Sequence, residues 1–473
     1  MNTLRPLRPA LLLAIVIASG CASVDISESV KQTNDRASAF TGGELQLGTT
    51  DEQRSDMQAA ATELLTQPLG EAEAVRVALL NSPRMQLLVA RYWANAAAIA
   101  DEGRIPNPVF AFERIEVGDE LEITRALSIG LIDILTYPQR YDRAQQALAA
   151  AQLGLTSTVI GEVTAVRQAW VQAVGARERL GYAEQVYQSG EASAELAQRM
   201  KAAGNFSELA RARQQVFYSD AATSLANARH EALRARESLV QVLGLTEKQY
   251  GALKLPDRLP KVPDAPVNAE AIGTMAVEER LDVQMAKAEF EAAAEAQGFT
   301  LLTSFTDIEV GAIRETAFGD EGRESAWGYE FELTLPLFNW GGMAREAMNA
   351  RTLAAANNLE LTLRKVSSEL REQYSTYRSA YDIALHYRTN VIPLRQKIMD
   401  ESVLRYNGMI IGVFELLADY RSHVAAVVSA INANQAFWMA EAGLKSARAG
   451  VSMGAASSFS DQPNAPGGDD EGH

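Results

Sequence analysis

Alternation of apolar and polar residues predicts two short β-strands in each half of the chain. In residues 327–335, odd positions are aromatic or aliphatic and even positions are Gly, Glu, Glu and Thr, which gives one apolar and one acidic face. Residues 121–131 repeat this pattern, except that Arg125 interrupts the apolar side. Weaker strands are predicted at 109–117 and 303–315. If such strands enclose water, Glu330 and Glu332 face the interior.

Between these strands lie long segments rich in Ala, Leu, Glu, Gln and Arg, which predict helices at 139–200 and 343–406. About 60 residues at 1.5 Å rise make a helix of roughly 90 Å, longer than any single-domain core. Pro393 removes a backbone donor and is expected to kink the second helix. A simple coiled-coil rod is the alternative, but charges are scattered without a clean heptad, which favours packing on more than one face.

The order of elements occurs twice, which indicates an internal duplication. An Ala-rich helix beginning near residue 81 is matched by one beginning near residue 280, and each is followed by two strands and a long helix. Each long helix ends at a glycine-containing turn, at 199–209 and at 405–416. The predicted fold is therefore mainly α with a small β part, built from a duplicated strand–strand–long-helix repeat with four strands per chain.

Composition argues against several kinds of function. The chain of 473 residues has 44 Lys and Arg against 60 Asp and Glu, a net charge of −16, so nucleic acid is not an expected partner. A single cysteine and four histidines far apart in sequence give no multi-ligand metal site, and no hydrolase or nucleotide-binding motif occurs. We therefore expect no enzyme activity, no catalytic residues and no bound cofactor or metal.

The N-terminus has the pattern of an export signal. Arg5 and Arg8 precede a short apolar stretch that ends in Ala-Ser-Gly-Cys21, which is too short to span a membrane. The last four residues resemble the lipobox of bacterial lipoproteins. That resemblance implies cleavage before Cys21, acylation of this cysteine and, because Ala22 follows, delivery to the outer membrane. An ordinary signal peptide with a coincidental cysteine is the alternative.

Four strands are too few to close a barrel, since about eight is the practical minimum. The strand lengths suit a bilayer crossing, and an open sheet edge cannot face lipid. A membrane sheet would therefore be shared, with two chains giving eight strands or three chains giving twelve. Two soluble hairpins packed on helices are the alternative that alternation alone leaves open.

The pattern as a whole resembles the TolC-like outer-membrane efflux proteins, especially lipid-anchored and metal-resistance members. The resemblance covers residues 70–446. It rests on the duplicated order, the two turns and four short motifs: Leu-Leu-Asn-Ser-Pro at 79–83, Pro-Asn-Pro at 106–108, Arg-Leu-Asp at 280–282 and Leu-Pro-Leu-Phe-Asn-Trp-Gly-Gly at 335–342. It implies a homotrimer with a twelve-stranded barrel in the outer membrane, continuing into a long helical periplasmic tube. The partners implied are a periplasmic adaptor and an inner-membrane pump of the RND type.

The same resemblance assigns roles to the two turns. Residues expected to contact the adaptor are Arg199, Gly204, Asn205, Phe206 and Ser207 in the first turn and Arg405, Gly408, Met409, Ile410, Ile411 and Gly412 in the second. The apolar cluster at 409–411 supports this role because a single chain gains nothing by exposing it, and glycines are expected to relieve backbone strain there. The alternative is that these side chains fold back onto the helix ends.

Relatives often carry an acidic ring at the periplasmic entrance, and Asp419 lies in the matching region. A solvated helix carboxylate, or pairing of the nearby Arg421 with another neighbour, is the alternative. The predicted organisation is a signal peptide at 1–20, a lipidated tether at 21–68, repeats at 69–265 and 266–449, and a disordered acidic tail at 450–473.

The function implied is the passive exit duct of a tripartite efflux system, located in the outer membrane and anchored by lipid on Cys21. A periplasmic coiled-coil lipoprotein acting as a spacer or scaffold is the alternative. Such a scaffold has no use for matched strands with one acidic and one apolar face.

Overall fold

The structure is a computed structural model that describes residues 24–118, 120–268, 277–303, 308–319, 322–335 and 341–451. The predicted signal peptide, Cys21, the aromatic positions Phe338 and Trp340, and the predicted tail beyond residue 451 lie outside the described residues. The chain divides into two compact units. One, the sheet unit, comprises residues 24–29, 90–153 and 285–359, and the other, the helical unit, comprises residues 30–89, 154–284 and 360–451.

The elements follow one another in the order that the duplication predicts. The segment before the first repeat contains α1 (Ile26–Thr41) and α2 (Asp51–Leu64). The first repeat contains α3 (Glu71–Asn81), α4 (Pro83–Glu102), β1 (Val109–Val117), β2 (Glu120–Gly130), α5 (Leu131–Ala202), α6 (Glu208–Leu243) and the single turn α7 (Glu247–Tyr250). The second contains α8 (Leu281–Thr303), β3 (Ile308–Gly319), β4 (Gly322–Leu333), α9 (Gly342–His386), α10 (Ile392–Asn407) and α11 (Val413–Arg448). The predicted fold class, mainly α with four strands in a duplicated repeat, is confirmed.

The sheet unit contains one antiparallel sheet in the order β1-β2-β3-β4. The two hairpins, one from each repeat, are joined by pairing of β2 with β3 over ten residue pairs, from Leu121 opposite Phe318 to Gly130 opposite Glu309. Within the described residues, β1 and β4 pair with a strand on one side alone. The outer backbone edges of both strands therefore have unused hydrogen-bonding groups.

The register separates the two faces of this sheet by chemistry. One face, here called the apolar face, carries aromatic and aliphatic side chains from all four strands, and Tyr329 on it is 94% exposed. The opposite face, here called the acidic face, carries eight glutamates: Glu113, Glu120, Glu122, Glu309, Glu315, Glu324, Glu330 and Glu332. Large exposed apolar surface of this kind marks a membrane or protein contact rather than a solvated face.

Aromatic packing forms the core of the helical unit where α9 meets α11. Tyr377, Tyr381 and Phe437 are almost completely buried, and the ring centre of Phe437 lies 5.6 Å from that of Tyr377 and 5.8 Å from that of Tyr381. A second anchor is Trp170 of α5, which is buried and donates from its indole nitrogen to the backbone oxygen of Leu69 at 2.7 Å. Burying such rings contributes both area and orientation, because the indole N–H keeps a partner.

Both repeats close in the same way, with a glycine after the last helix against the start of the first. Gly244 follows α6 with φ of +66° and lies against Ser82 and Pro83, while Gly450 follows α11 with φ of +81° and lies against Leu281 and Asp282. A Cβ on Gly244 would lie 2.9 Å from the Cα of Ser82. Only glycine suits both the left-handed backbone and the close approach.

The segment predicted as a polar tether contains two helices within its described part. Thr50 caps α2 by accepting from the backbone N–H of Gln53, whose side chain accepts in return from the Thr50 backbone. The predominance of polar residues in both segments hid these helices from the sequence analysis, although α1 buries Thr33, Ala37 and Thr41 along one side. Phe40 at the end of α1 contacts Arg167 of α5, whose guanidinium carbon lies 4.5 Å from the ring centre.

The helix changes its hydrogen-bond pattern just before Pro393, at the position where the sequence predicts a kink. The helix widens into a π turn at Tyr387–Val391, and the N–H of Ile392 donates to the oxygen of Tyr387. A one-residue expansion accommodates the proline ring, which would otherwise press on the carbonyl four residues earlier. In the first repeat α5 begins at Leu131, before the predicted start, and includes Pro138 within its second turn.

Candidate functional site

The first tip (residues 199–207) is a tight turn between α5 and α6. The N–H of Asn205 donates to the oxygen of Met200 at 2.9 Å, and that of Gly204 donates to Lys201 at 2.9 Å. This Schellman pattern requires a left-handed residue, which is Gly204 at φ of +79°. Ser207 then caps α6 by accepting from the N–H of Ala210 at 3.2 Å.

The second tip (residues 405–412) makes the same turn with a different residue in the strained position. The N–H of Ile410 donates to the oxygen of Arg405 at 2.8 Å, and that of Met409 donates to Tyr406 at 3.0 Å. Met409 has φ of +57°, whereas Gly408 has φ of −81°. The expectation that glycine relieves strain is thus correct for the first tip and wrong for the second, where a methionine adopts the left-handed conformation.

The apolar side chains of the second tip do not fold back in the single chain. Met409 is 93% exposed and Ile410 is 74% exposed, while Ile411 is half-buried. A strained backbone that presents two large apolar side chains to solvent is typical of a functional contact rather than of a folding requirement.

The two tips lie side by side through an aromatic contact. Phe206 stacks on Phe414, the second residue of α11, with ring centres 6.0 Å apart and planes inclined by 15°. Arg213 of α6 approaches the same ring, with its guanidinium carbon 5.6 Å from the centre. The sequence reasoning missed Phe414 and Arg213. Aligning the two turns could have revealed the phenylalanine, because Phe206 and Phe414 each lie two residues after a glycine.

Charged residues of the first tip form ion pairs with one another and with neighbouring helix residues. Lys201 and Arg211 both form ion pairs with Glu208, and Arg199 pairs with Glu195 one turn earlier. Exposed pairs of this kind contribute at most about 1 kcal/mol each. Arg199 therefore remains available at the surface, and Arg405, the equivalent residue of the second tip, is also exposed.

Asp419 lies on α11 about two helical turns beyond the second tip. The Ser402 hydroxyl of α10 donates to its carboxylate at 2.5 Å, and Asp419 is half-buried. Arg421 does not pair with it. Instead, Arg421 places its guanidinium carbon 4.8 Å from the ring centre of Phe217 and donates to the backbone oxygen of Arg213 at 3.3 Å. The Asp419 side chain is thus held by a neutral donor, the Ser402 hydroxyl, and not by Arg421.

Behind the tips the packing is aromatic. Phe217 and Val186 are buried in a cluster with the ring of Tyr420, which meets Phe217 edge-on at 6.2 Å. Burial, with a smaller contribution from Tyr420, raises the pKa of Tyr182 to about 12. The Tyr182 phenol is therefore uncharged near neutral pH, and the rings of this cluster form an apolar support on which the Arg421 guanidinium group packs.

No helix in the described part of the chain combines the length and apolar character needed to cross a membrane. Among the same residues, no group of three or more His, Cys, Asp or Glu side chains is placed to hold a metal ion.

The described features define a fold. A duplicated unit of helix, β-hairpin and long helical hairpin, with one four-stranded sheet shared by the two repeats, is the architecture found in TolC-like outer-membrane channels. The sequence matches no protein-family model and no curated protein.

Solved structures share the fold at low sequence identity. The outer-membrane protein VceC from Vibrio cholerae superimposes with a TM-score of 0.65 at 15% identity, covering 85% of this chain and 99% of VceC. CusC, described in connection with transmembrane channel formation, gives 0.65 at 17% identity and covers 86% and 99%. The open-state MtrE channel from Neisseria gonorrhoeae gives 0.62 at 16% identity and covers 83% and 90%. The family resemblance deduced from sequence motifs is thereby confirmed at the level of the fold.

Proposed function

We propose that the chain is the outer-membrane exit duct of a tripartite efflux system, passively conducting substrates to the exterior. The observation that carries this proposal is the sheet: four strands with two unpaired edges, one apolar exposed face and one acidic face. An open strand edge is not tolerated in lipid, and a large apolar face is not tolerated in water. Pairing β4 of one chain with β1 of the next closes the edges, and the bilayer covers the apolar face.

A homotrimer is the assembly that this pairing favours. Three chains contribute twelve strands, with the apolar face toward lipid and Glu330 and Glu332 toward a water-filled lumen. The fold neighbours named as outer-membrane channels support this arrangement. The spacer or scaffold alternative is not favoured, because it leaves the sheet without a role.

The remaining parts of the proposal concern attachment and partners. Cys21 is proposed to carry the lipid anchor, which places the chain in the bacterial outer membrane with a large periplasmic part. The two tips are proposed to dock on a periplasmic adaptor that couples to an inner-membrane pump of the RND type, with Asp419 near the periplasmic entrance. Support comes from the exposed Met409 and Ile410 and from the stacking that holds both tips together.

Crosslinking between sheet edges tests the shared barrel directly. Ala111 of β1 and Ala326 of β4 lie on opposite edge strands, three strand spacings across and two residues along the sheet, which puts them about 16 Å apart. In the Ala111→Cys, Ala326→Cys variant, a bismaleimide shorter than this span is expected to link neighbouring chains into a ladder that ends at three. Ala111 and Ala126 are direct cross-strand partners, so the Ala111→Cys, Ala126→Cys control should link within one chain. The parent chain, with Cys21 alone, controls for the native thiol.

The crosslinking experiment has two other possible results. A product that stops at two chains would indicate an eight-stranded dimer and refute the trimer. Absence of any product between chains, together with no ion conductance after reconstitution in a planar bilayer, would refute the duct.

A tip variant tests the adaptor contact separately. Ile410→Asp with Ile411→Asp is expected to abolish export in a complemented deletion strain while leaving trimer assembly and conductance intact. The conservative control, Ile410→Val with Ile411→Val, should export normally. Export by the Asp variant at the wild-type rate would remove the adaptor role of the second tip.

A further inference from the structure

The apolar face of the sheet carries a cluster of arginines that the proposed duct does not use. Residues opposite each other in the register share a face. By that rule the four arginines of the strands all lie on the apolar face, together with the exposed aromatic residues: Arg114, Arg125, Arg314 and Arg323. They occupy the three rows closest to the hairpin turns, while the rows closer to the helices are apolar.

The third row from the hairpin turns places two of these arginines on adjacent strands. Arg125 and Arg314 are direct cross-strand partners, flanked in the same row by Phe112 and Trp327. The guanidinium carbon of Arg125 lies 5.9 Å from the ring centre of Phe112, and that of Arg314 lies 5.1 Å from Trp327. Like charges directly opposite in a sheet are destabilising. Each guanidinium group lies over the aromatic ring of the outer strand, an arrangement that separates the two charges while keeping both on the apolar face.

Two donors on this face lack acceptors within the described part of the chain. The hydroxyl of Thr316, a residue 1% exposed and in the next row of β3, has no hydrogen-bond partner. The Nε of Arg314 is also buried and without one. Unsatisfied donors beside paired cations identify a place where an acceptor of negative charge is missing.

Carboxylates on the described strands do not supply that charge. Glu116, which pairs with Arg114, is the one described strand glutamate on the apolar face. The other eight lie on the acidic face. An anion for the arginine rows must therefore come from outside the described strands.

We propose that Arg125 and Arg314, assisted by Arg114 and Arg323, bind the phosphate groups of an anionic membrane lipid. Guanidinium groups bind phosphate through paired N–H donors, and an apolar face with a basic band fits a lipid whose chains and headgroup are contacted together. The band lies near the hairpin turns, at the end of the strands away from their helices. If the proposed function holds, the hairpin-turn end of the strands reaches the outer leaflet of the outer membrane. The lipid is then a phosphorylated glycolipid such as lipid A.

Lipid binding by the purified full-length assembly tests the proposal. The probe is bisphosphorylated lipid A, titrated in neutral detergent and measured by native mass spectrometry beside phosphatidylcholine. Wild type is expected to bind lipid A at least about tenfold more tightly than phosphatidylcholine, and Arg125→Gln with Arg314→Gln should remove about tenfold of that preference. The matched control changes two exposed arginines of α6, Arg229→Gln with Arg234→Gln, and should bind as wild type does.

Each result of these binding measurements either supports or contradicts the lipid site. If the Arg125→Gln, Arg314→Gln variant binds lipid A as tightly as wild type does, the proposed site is wrong. It is also wrong if wild type binds lipid A and phosphatidylcholine with equal affinity, and this second measurement does not depend on the folding of any variant. Displacement of lipid A by millimolar inorganic phosphate would show a free-anion site and overturn the choice of lipid. Conductance is measured on the same samples: lipid preference without conductance would refute the proposed duct and leave the lipid site standing.

Discussion

Replacing Met409 by glycine separates the strain at the second tip from its proposed contact role. Met409 adopts φ of +57° with its side chain almost fully exposed. A left-handed backbone costs a residue with a side chain roughly 1 kcal/mol, which glycine avoids. Glycine in turn loses about 0.5–1 kcal/mol more conformational entropy on folding. The two effects offset each other, so the free energy of unfolding should change by less than about 0.5 kcal/mol.

The contact should change far more than the stability. If the methionine side chain is buried on docking, about 1.5–3 kcal/mol of apolar burial is lost in Met409→Gly. At 1.4 kcal/mol per tenfold, adaptor affinity should fall by roughly 10- to 150-fold. Met409→Leu keeps the apolar volume and is the control, with affinity expected within about threefold of wild type.

The assay combines a thermal melt of the assembled protein, titration of purified adaptor, and efflux by a complemented deletion strain. The expected result is an unchanged melting temperature with weaker adaptor binding and slower efflux in Met409→Gly alone. Wild-type binding and efflux in that variant would refute the reasoning, because the strained methionine would then serve no contact.

Three further outcomes follow from described contacts. Burial raises the pKa of the Glu162 carboxyl and its ion pair with Arg84 offsets this less. Glu162 therefore loses its proton at a higher pH in the folded state than in the unfolded state, so the free energy of unfolding decreases as pH rises above about 4.5. The melting temperature should decrease over the same range, and it should decrease less in Glu162→Gln. Gly204→Ala meets no atom within 4 Å and should cost about 1 kcal/mol through its backbone alone, seen as faster amide exchange confined to the first tip. Phe206→Leu and Phe414→Leu should show a coupling of about 0.5–1.5 kcal/mol in a double-mutant cycle; additive effects would contradict the observed stacking.

The strands and long helices were predictable because each has a clear local period. β1 matches its predicted bounds, and β2 and β4 contain most of theirs. The predicted start of β3 at residue 303 was wrong, since α8 continues to Thr303 and the strand begins at Ile308. A short apolar stretch fits the end of a helix as well as the start of a strand, so periodicity cannot place this boundary.

Contacts between distant residues were not predictable from local pattern. Pairing of β2 with β3 joins the two repeats, and the stacking of Phe206 on Phe414 joins segments about two hundred residues apart. Arg125 was visible only as an interruption of an apolar alternation, because its partner Arg314 is identified by the register. Likewise, Met409 could not be chosen over the neighbouring Gly408 as the left-handed residue, since sequence favours glycine there.

The unpaired outer edges of β1 and β4 also determine how the stability of this protein depends on the amount present. If the sheet is completed only by copies of the same chain, no single melting temperature belongs to the isolated chain, and dilution should lower it. Newly exported chains would then remain unassembled until they meet other copies, and the unassembled chain would be the form most exposed to proteolysis and aggregation.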